Sequence, residues 1–165
     1  MIARFFFFIS VLFVFGCSDQ KDLTTIIWLR HAEKDTIENS SDPKLTPEGR
    51  NRARKLASVL DSIPISTIFS TPYKRNLQTV MPLAADKGID IQIYERDSWS
   101  SLLDTLPSSF QGQSLLICGH RDQIFEMIQY LGVPTDRNKL EKNEYNKLFI
   151  LRNAHSSPQL EISTY

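Results

Sequence analysis

Apolar residues recur along the chain in two rhythms, which predict alternating strands and helices. Uninterrupted or alternating apolar runs, typical of strands, occupy residues 24–29, 65–70, 89–94 and 115–118. Two further runs, at 147–152 and 159–163, predict a pair of strands joined as a hairpin. Between the first runs, apolar residues return every three or four positions, as on the buried face of a helix.

Local signals set the bounds of the predicted helices. Thr46 and Pro47 supply a hydroxyl cap followed by proline at the first helical position, and Gly88 and Gly132 end two later helices. The predicted helices cover residues 47–60, 77–88, 99–106 and 122–131. Strands that alternate with helices predict an α/β fold. We expect a three-layer α/β/α sandwich with a mostly parallel central sheet and an antiparallel edge.

The N-terminal segment differs from the rest of the chain. Residues 5–15 form an apolar run with one hydroxyl and no charge, directly after Arg4. This run is too short to span a bilayer and is typical of the apolar region of a signal peptide. The pair Gly16-Cys17, where the run ends, resembles a bacterial lipobox, in which the cysteine is lipidated and becomes the mature N-terminus. An ordinary cysteine after a cleaved or uncleaved anchor is the alternative.

We therefore divide the chain into a lipoprotein signal peptide at 1–16, a tether at 17–23 and one domain at 24–165. The resemblance implies a protein of the bacterial cell envelope, anchored through Cys17 and facing the periplasm or held at the outer membrane. Lys plus Arg and Asp plus Glu both number 19, so no net charge attracts nucleic acid, and any anion must bind through local clustering of Arg and His. We expect a monomer without a nucleic-acid partner.

Chemically active residues stand where three predicted strands end. Arg30 and His31 follow the first strand, Arg75 comes one turn after the second, and His120 follows the fourth. In open α/β sheets, ligands bind beyond the carboxyl ends of the strands. A single histidine in such a place is usually structural, but together these side chains predict an oxyanion site. The remaining cysteine, Cys118, lies in an apolar run and is interpreted as a small buried side chain rather than a catalytic thiol.

Four segments carry a resemblance to the histidine phosphatase superfamily, the phosphoglycerate mutase-like proteins. Residues 29–33 resemble the Arg-His signature and residues 45–50 the Leu-Thr-x-x-Gly helix start. Residues 70–79 are similar to the Ser-x-x-x-Arg-x-x-Gln-Thr segment, and residues 117–120 to the segment of the second histidine. The segments follow in the family's order, and the resemblance spans residues 24–151.

The resemblance implies a role for each site residue. His31 is expected to attack phosphorus and form a phosphohistidine that water hydrolyses. Arg30 and Arg75 are expected to bind phosphate oxygens, and His120 to form the fourth wall of the pocket. No divalent metal and no cofactor is expected.

The proton donor is less well defined. Superfamily members usually supply an acid after the third strand or just after the second histidine. Glu95 is the preferred candidate, because it follows the third predicted strand at the rim where His31 is expected; a solvated loop charge is the alternative. Asp97, Asp122 and Glu33 stay open as donors, although Asp122 is interpreted first as a cap of the following helix.

These observations predict a phosphatase that hydrolyses phosphomonoesters or phosphoramidates of a small molecule or a phosphoprotein. A phosphomutase is less favoured, since only about twenty residues separate Tyr94 from Leu115 and leave room for a small lid alone. A non-catalytic envelope lipoprotein that binds phosphate or a phosphoprotein remains the alternative from another class. The sequence does not choose between small esters and phosphoproteins as substrates.

Overall fold

The computed structural model describes residues 24–37, 40–154 and 157–165. Its strands are β1 (Thr25–Arg30), β2 (Ile65–Ser70), β3 (Ile91–Ile93), β4 (Ser114–Gly119), β5 (Lys147–Arg152) and β6 (Gln159–Thr164). Its helices are α1 (Pro47–Val59), α2 (Lys74–Lys87), α3 (Trp99–Ser109) and α4 (Gln123–Tyr130), with a short 3-10 turn at Arg96–Ser98. The predicted signal peptide and tether lie outside the described residues. Within those residues, no helix combines the length and the apolar character needed to cross a membrane.

The six strands form one sheet in the order β3-β2-β4-β1-β5-β6. The first four are mutually parallel, whereas β5 and β6 run antiparallel to their neighbours. The predicted mostly parallel sheet with an antiparallel edge is therefore confirmed. β3 is shorter than predicted, because Gly88 turns the chain with φ 64° and pairing with β2 begins only at Ile91.

Helices cover both faces of the sheet, which confirms the three layers. On one face, Leu56 of α1 and Leu83 of α2 pack against Ile27 and Leu116 of the central strands. The opposite face has its own core, in which α3 and α4 pack on the sheet through Leu106, Phe125, Trp28 and Phe149. Cys118 is fully buried, and this burial raises the pKa of its thiol to about 12, in agreement with an inert core side chain.

The start of α1 fixes the loop that follows β1. The Thr46 hydroxyl accepts a hydrogen bond of 3.0 Å from the N–H of Gly49, which confirms the predicted cap. A β-carbon at Gly49 would lie 2.4 Å from the carbonyl oxygen of Glu33. Only glycine therefore allows α1 to pack directly against the segment that leaves β1 for the site.

Candidate active site

The carboxyl ends of β1, β2 and β4 lie side by side, because these strands are parallel neighbours. His31 and His120, which directly follow β1 and β4, are buried with their ring centroids 5.7 Å apart. Arg30 ends β1, and Arg75 lies in the first turn of α2. Burial, and after it the positive charges of both arginines, lower the pKa of both imidazoles. The structure thus brings together the four residues that the sequence selects.

His31 has the properties of a nitrogen nucleophile. Its Nδ1 lies 2.7 Å from the carbonyl oxygen of Ala32, so we assign the ring proton to Nδ1, which leaves a lone pair on Nε2. Burial lowers the pKa of His31 to about 3, and the charges of Arg30 and Arg75 contribute to the shift. The imidazole is therefore neutral at physiological pH.

His120 is held by a hydroxyl from the neighbouring strand exit. Its Nε2 lies 3.1 Å from Oγ1 of Thr71, which directly follows β2. The ring of Tyr73 meets it at a near-perpendicular angle, with the centroids 5.2 Å apart. Burial lowers the pKa of His120 to about 4, with further contributions from Arg75 and Arg96. The second imidazole is accordingly neutral in the absence of a bound anion.

Arg30 is anchored by a loop that the sequence did not connect with the site. Its NH1 donates hydrogen bonds of 3.0–3.3 Å to the carbonyl oxygens of Glu141, Lys142 and Glu144. The guanidinium lies over the ring of Tyr145, 3.9 Å from its centroid. Its buried Nε has no hydrogen-bond partner among the described residues. One end of the guanidinium is thus fixed, while a buried N–H donor is left for a ligand.

Arg75 is held in a similar way by an aromatic ring. Its guanidinium lies 4.3 Å from the ring centroid of Tyr73, and its NH1 is 3.8 Å from a carboxylate oxygen of Asp42. Within the described part of the chain, its buried Nε also lacks a partner. Burial lowers the pKa of both Arg30 and Arg75 from the usual value, a sign of desolvation that a bound anion would offset.

Arg96 is a site residue that the sequence reasoning missed. It follows β3 closely, and its backbone carbonyl accepts a 2.7 Å hydrogen bond from Nε2 of the buried Gln123. Its charge lowers the pKa of both His120 and Arg75, so it belongs to the same electrostatic cluster. Its position, two residues after the third predicted strand, is the sequence feature that could have identified it.

Two of the four candidate proton donors are paired with arginines. Glu33 accepts two hydrogen bonds of 2.8 and 2.9 Å from Nε of Arg52. Asp122 pairs with Arg96. The interpretation of Asp122 as a helix cap is wrong, because its side chain makes no capping hydrogen bond to α4.

Glu95 and Asp97 are both exposed, and neither carboxylate has a hydrogen bond or ion pair within the described ranges. The N–H of Tyr94 still donates to the carbonyl of Ser70 at the end of β2. Glu95 therefore leaves the sheet at the same edge as the two histidines, which keeps it as the preferred donor. Among the residues that the structure describes, no group of three or more His, Cys, Asp or Glu side chains is arranged to hold a metal ion.

Comparison with known families identifies one match. Residues 26–100 match the family described as histidine phosphatase superfamily (branch 1). The matched region contains Arg30, His31 and Arg75, whereas His120 lies beyond it. No curated protein matches the chain.

Solved structures with the same fold include several phosphatases. The chain is similar to the phosphoserine phosphatase from Entamoeba histolytica, with a TM-score of 0.67 and 19% identity over 86% of this chain and 98% of that one. It is also similar to the protein histidine phosphatase SixA, with a TM-score of 0.70 and 15% identity over 85% and 96%. A third similar structure is a mycobacterial glucosyl-3-phosphoglycerate phosphatase, with a TM-score of 0.65 and 15% identity over 86% of this chain and 97% of that one. At these identities the likeness establishes the fold.

Proposed function

Since residues 26–100 match the histidine phosphatase superfamily, we propose that the chain is a member that hydrolyses phosphomonoesters or phosphoramidates through a phosphohistidine on His31. One observation carries the proposal: a neutral imidazole whose ring proton is held on Nδ1 is close enough to two arginines for their charges to lower its pKa, and each arginine keeps a buried Nε without a partner among the described residues. Phosphoryl transfer depends mainly on positioning the reactants and neutralising charge. This arrangement supplies a nucleophile together with positive charge beside the phosphoryl group that is transferred.

In the first step, Arg30 and Arg75 bind the phosphoryl oxygens while Nε2 of His31 attacks phosphorus. A P–N bond to His31 forms as the bond from phosphorus to the leaving oxygen or nitrogen breaks. The leaving group takes its proton from Glu95, or leaves already protonated when it is a suitable amine. Positive charge from His120 protonated on phosphate binding would add to that of the arginines.

In the second step, water attacks the phosphohistidine on the side opposite His31. Glu95, now a carboxylate, accepts one proton of the water, and the P–N bond breaks. The products are inorganic phosphate and the neutral imidazole of His31. For an ester, the proton that Glu95 gives in the first step returns in the second. For an amine that leaves already protonated, Glu95 starts as a carboxylate and passes the proton it takes from water to the solvent.

The substrate class remains broad in this proposal. The connection from β3 to β4 holds only the 3-10 turn and α3, so an open pocket that admits either a small ester or a phosphorylated protein side chain is favoured over a mutase. The similar structures include both a phosphoserine phosphatase and a protein histidine phosphatase, by their names. We also propose a lipid anchor at Cys17, on the support of the sequence pattern alone.

The central experiment is a trapping assay on the full-length protein in detergent. Labelled phosphoramidate or p-nitrophenyl phosphate, quenched during turnover, should leave an acid-labile, base-stable phosphoenzyme in the wild type. His31→Asn should leave none and should show no turnover. Phosphate binding without any turnover by the wild type would contradict the enzyme and favour the non-catalytic binder.

The anchor is tested separately with labelled palmitate in a bacterial host. Wild-type protein should take up the label and sediment with membranes, and Cys17→Ser should take up no label and remain unprocessed or mislocalised. Absence of label on the wild type would remove the lipoprotein proposal while leaving the phosphatase proposal untouched.

A further inference from the structure

Asp42 brings a carboxylate to the anion-binding side of the site. It lies in the loop between β1 and α1, and its side chain is 33% exposed. Its Oδ1 accepts a 2.9 Å hydrogen bond from the backbone N–H of Lys74 and lies 3.8 Å from NH1 of Arg75. A negative charge therefore stands beside one of the two arginines assigned to phosphate.

The position of this carboxylate does not depend on Arg75. The residue before α2 is Tyr73, whose side chain makes no capping hydrogen bond, so Asp42 supplies an acceptor for a free N–H of the first turn. The same loop is tied to α2 a second time, because Oε1 of Gln78 accepts a 2.9 Å hydrogen bond from the N–H of Leu45. Two contacts to α2 thus keep the Asp42 charge in place.

The contact with Arg75 is electrostatic rather than a close hydrogen bond. A separation of 3.8 Å exceeds hydrogen-bond length, and the Nε of Arg75 keeps no partner among the described residues. The donors of Arg75 therefore stay available to a phosphate. Any phosphate that binds Arg75 must share the guanidinium charge with a fixed carboxylate and is repelled by that carboxylate.

On the basis of the proposed function, we propose that Asp42 is a positioning residue that acts through Arg75 as an internal competitor of phosphate. Its carboxylate lowers the affinity of the site for inorganic phosphate, the final product, and so speeds product release. The site thereby combines strong charge neutralisation during transfer with weak retention of the product.

The test is calorimetric binding of inorganic phosphate to the full-length protein in detergent. Asp42→Asn keeps the oxygen that accepts from Lys74 but removes the charge. We expect its phosphate Kd to fall about tenfold, equivalent to about 1.4 kcal/mol, with a smaller difference at high salt. Asp86→Asn is the matched control, since it removes an exposed carboxylate from the far end of α2, about 18 Å along the helix from Lys74. Its Kd should equal that of the wild type.

Steady-state kinetics give a second readout. Asp42→Asn should lower KM and kcat together, because a more tightly held product leaves more slowly. A merely structural role, or partial misfolding, would instead raise KM and weaken phosphate binding. Equal or weaker phosphate binding by Asp42→Asn than by the wild type would overturn this inference alone. A wild-type protein that shows neither turnover nor a trapped phosphoenzyme would overturn the proposed function and this inference with it.

Discussion

The hydroxyl of Thr79 accepts a 2.9 Å hydrogen bond from the backbone N–H of Ala32, the residue directly after His31. The same hydroxyl donates a 2.7 Å hydrogen bond to the carbonyl of Arg75, one turn earlier in α2. One buried side chain therefore joins the backbone directly after the proposed nucleophile to the backbone of an arginine proposed to bind phosphate. It thereby holds the backbone N–H of Ala32, the residue whose carbonyl oxygen accepts the proton on Nδ1 of His31.

This link predicts a loss of activity when the Thr79 hydroxyl is removed. Thr79→Val keeps the shape but leaves the N–H of Ala32 unpaired in a buried setting, so we expect kcat to fall roughly tenfold or more. Thr79→Ser keeps the hydroxyl and should recover most of the rate. Phosphatase kinetics of the two variants, beside their thermal midpoints, would measure this effect. Equal rates in both variants would show that the hydroxyl does not position the site.

Glu95→Gln tests the proton donor. A general acid typically raises the reaction rate about 10²–10⁴-fold, and it raises the rate most when the leaving group is poor. We expect the variant to lose most activity on alkyl phosphates and least on p-nitrophenyl phosphate. Asp97→Asn tests the second exposed candidate, two residues further along the chain, in the same assay. A similar small loss on all substrates would exclude Glu95 as the donor.

Acid should destabilise the folded protein through its two neutral histidines. Their pKa values are lowered, to about 3 for His31 and about 4 for His120, first by burial. Between about pH 6.5 and pH 4, the unfolded chain therefore binds protons that the folded chain does not. The stability is complete above pH 6.5 and is lost as pH falls, by up to about 1.4 kcal/mol per pH unit for each imidazole.

Urea unfolding at pH 7.5 and pH 5.0 measures this loss. His120→Asn removes one of the two groups, so its free energy of unfolding should fall less between these pH values than that of the wild type. The same dependence in both proteins would contradict a neutral, buried His120.

Gly49→Ala should destabilise the protein, although alanine normally favours helix interiors. The added methyl group would meet the carbonyl oxygen of Glu33 at 2.4 Å, so the loop after β1 must move. We expect a loss of about 1–3 kcal/mol in the free energy of unfolding. Ser58→Ala, at an exposed position of the same helix, should leave stability unchanged or slightly improve it. A stable Gly49→Ala variant would contradict the close packing.

The strands and the convergence of their exits were predictable from the sequence. Long apolar runs define β2 and β5 at the predicted residues, and parallel neighbours must end at one edge of a sheet. That rule alone brings together His31, Arg75 and His120. Catalytic roles for these residues remain predictions, which the variants above address.

The loops around the site were not predictable from local patterns. Nothing in the polar segment before β5 indicates that Tyr145 lies against Arg30, or that three carbonyl groups of residues 141–144 bind its guanidinium. Asp42 likewise lies in a polar segment, and nothing in that segment indicates its contact with α2. Such segments have no hydrophobic period, so their positions follow from long-range contacts that form only in the folded chain.

The place of β4 in the sheet has a consequence for how the protein matures. This strand is inserted between β2 and β1, so Thr25 pairs with Ser114, which lies more than half of the chain length further along the sequence. An emerging polypeptide that ends before Gly119 lacks the strand that joins the two halves of the sheet, and it also lacks the second imidazole. A truncated product of translation or proteolysis that ends before Ser114 would therefore carry the Arg-His pair without β4 and without His120.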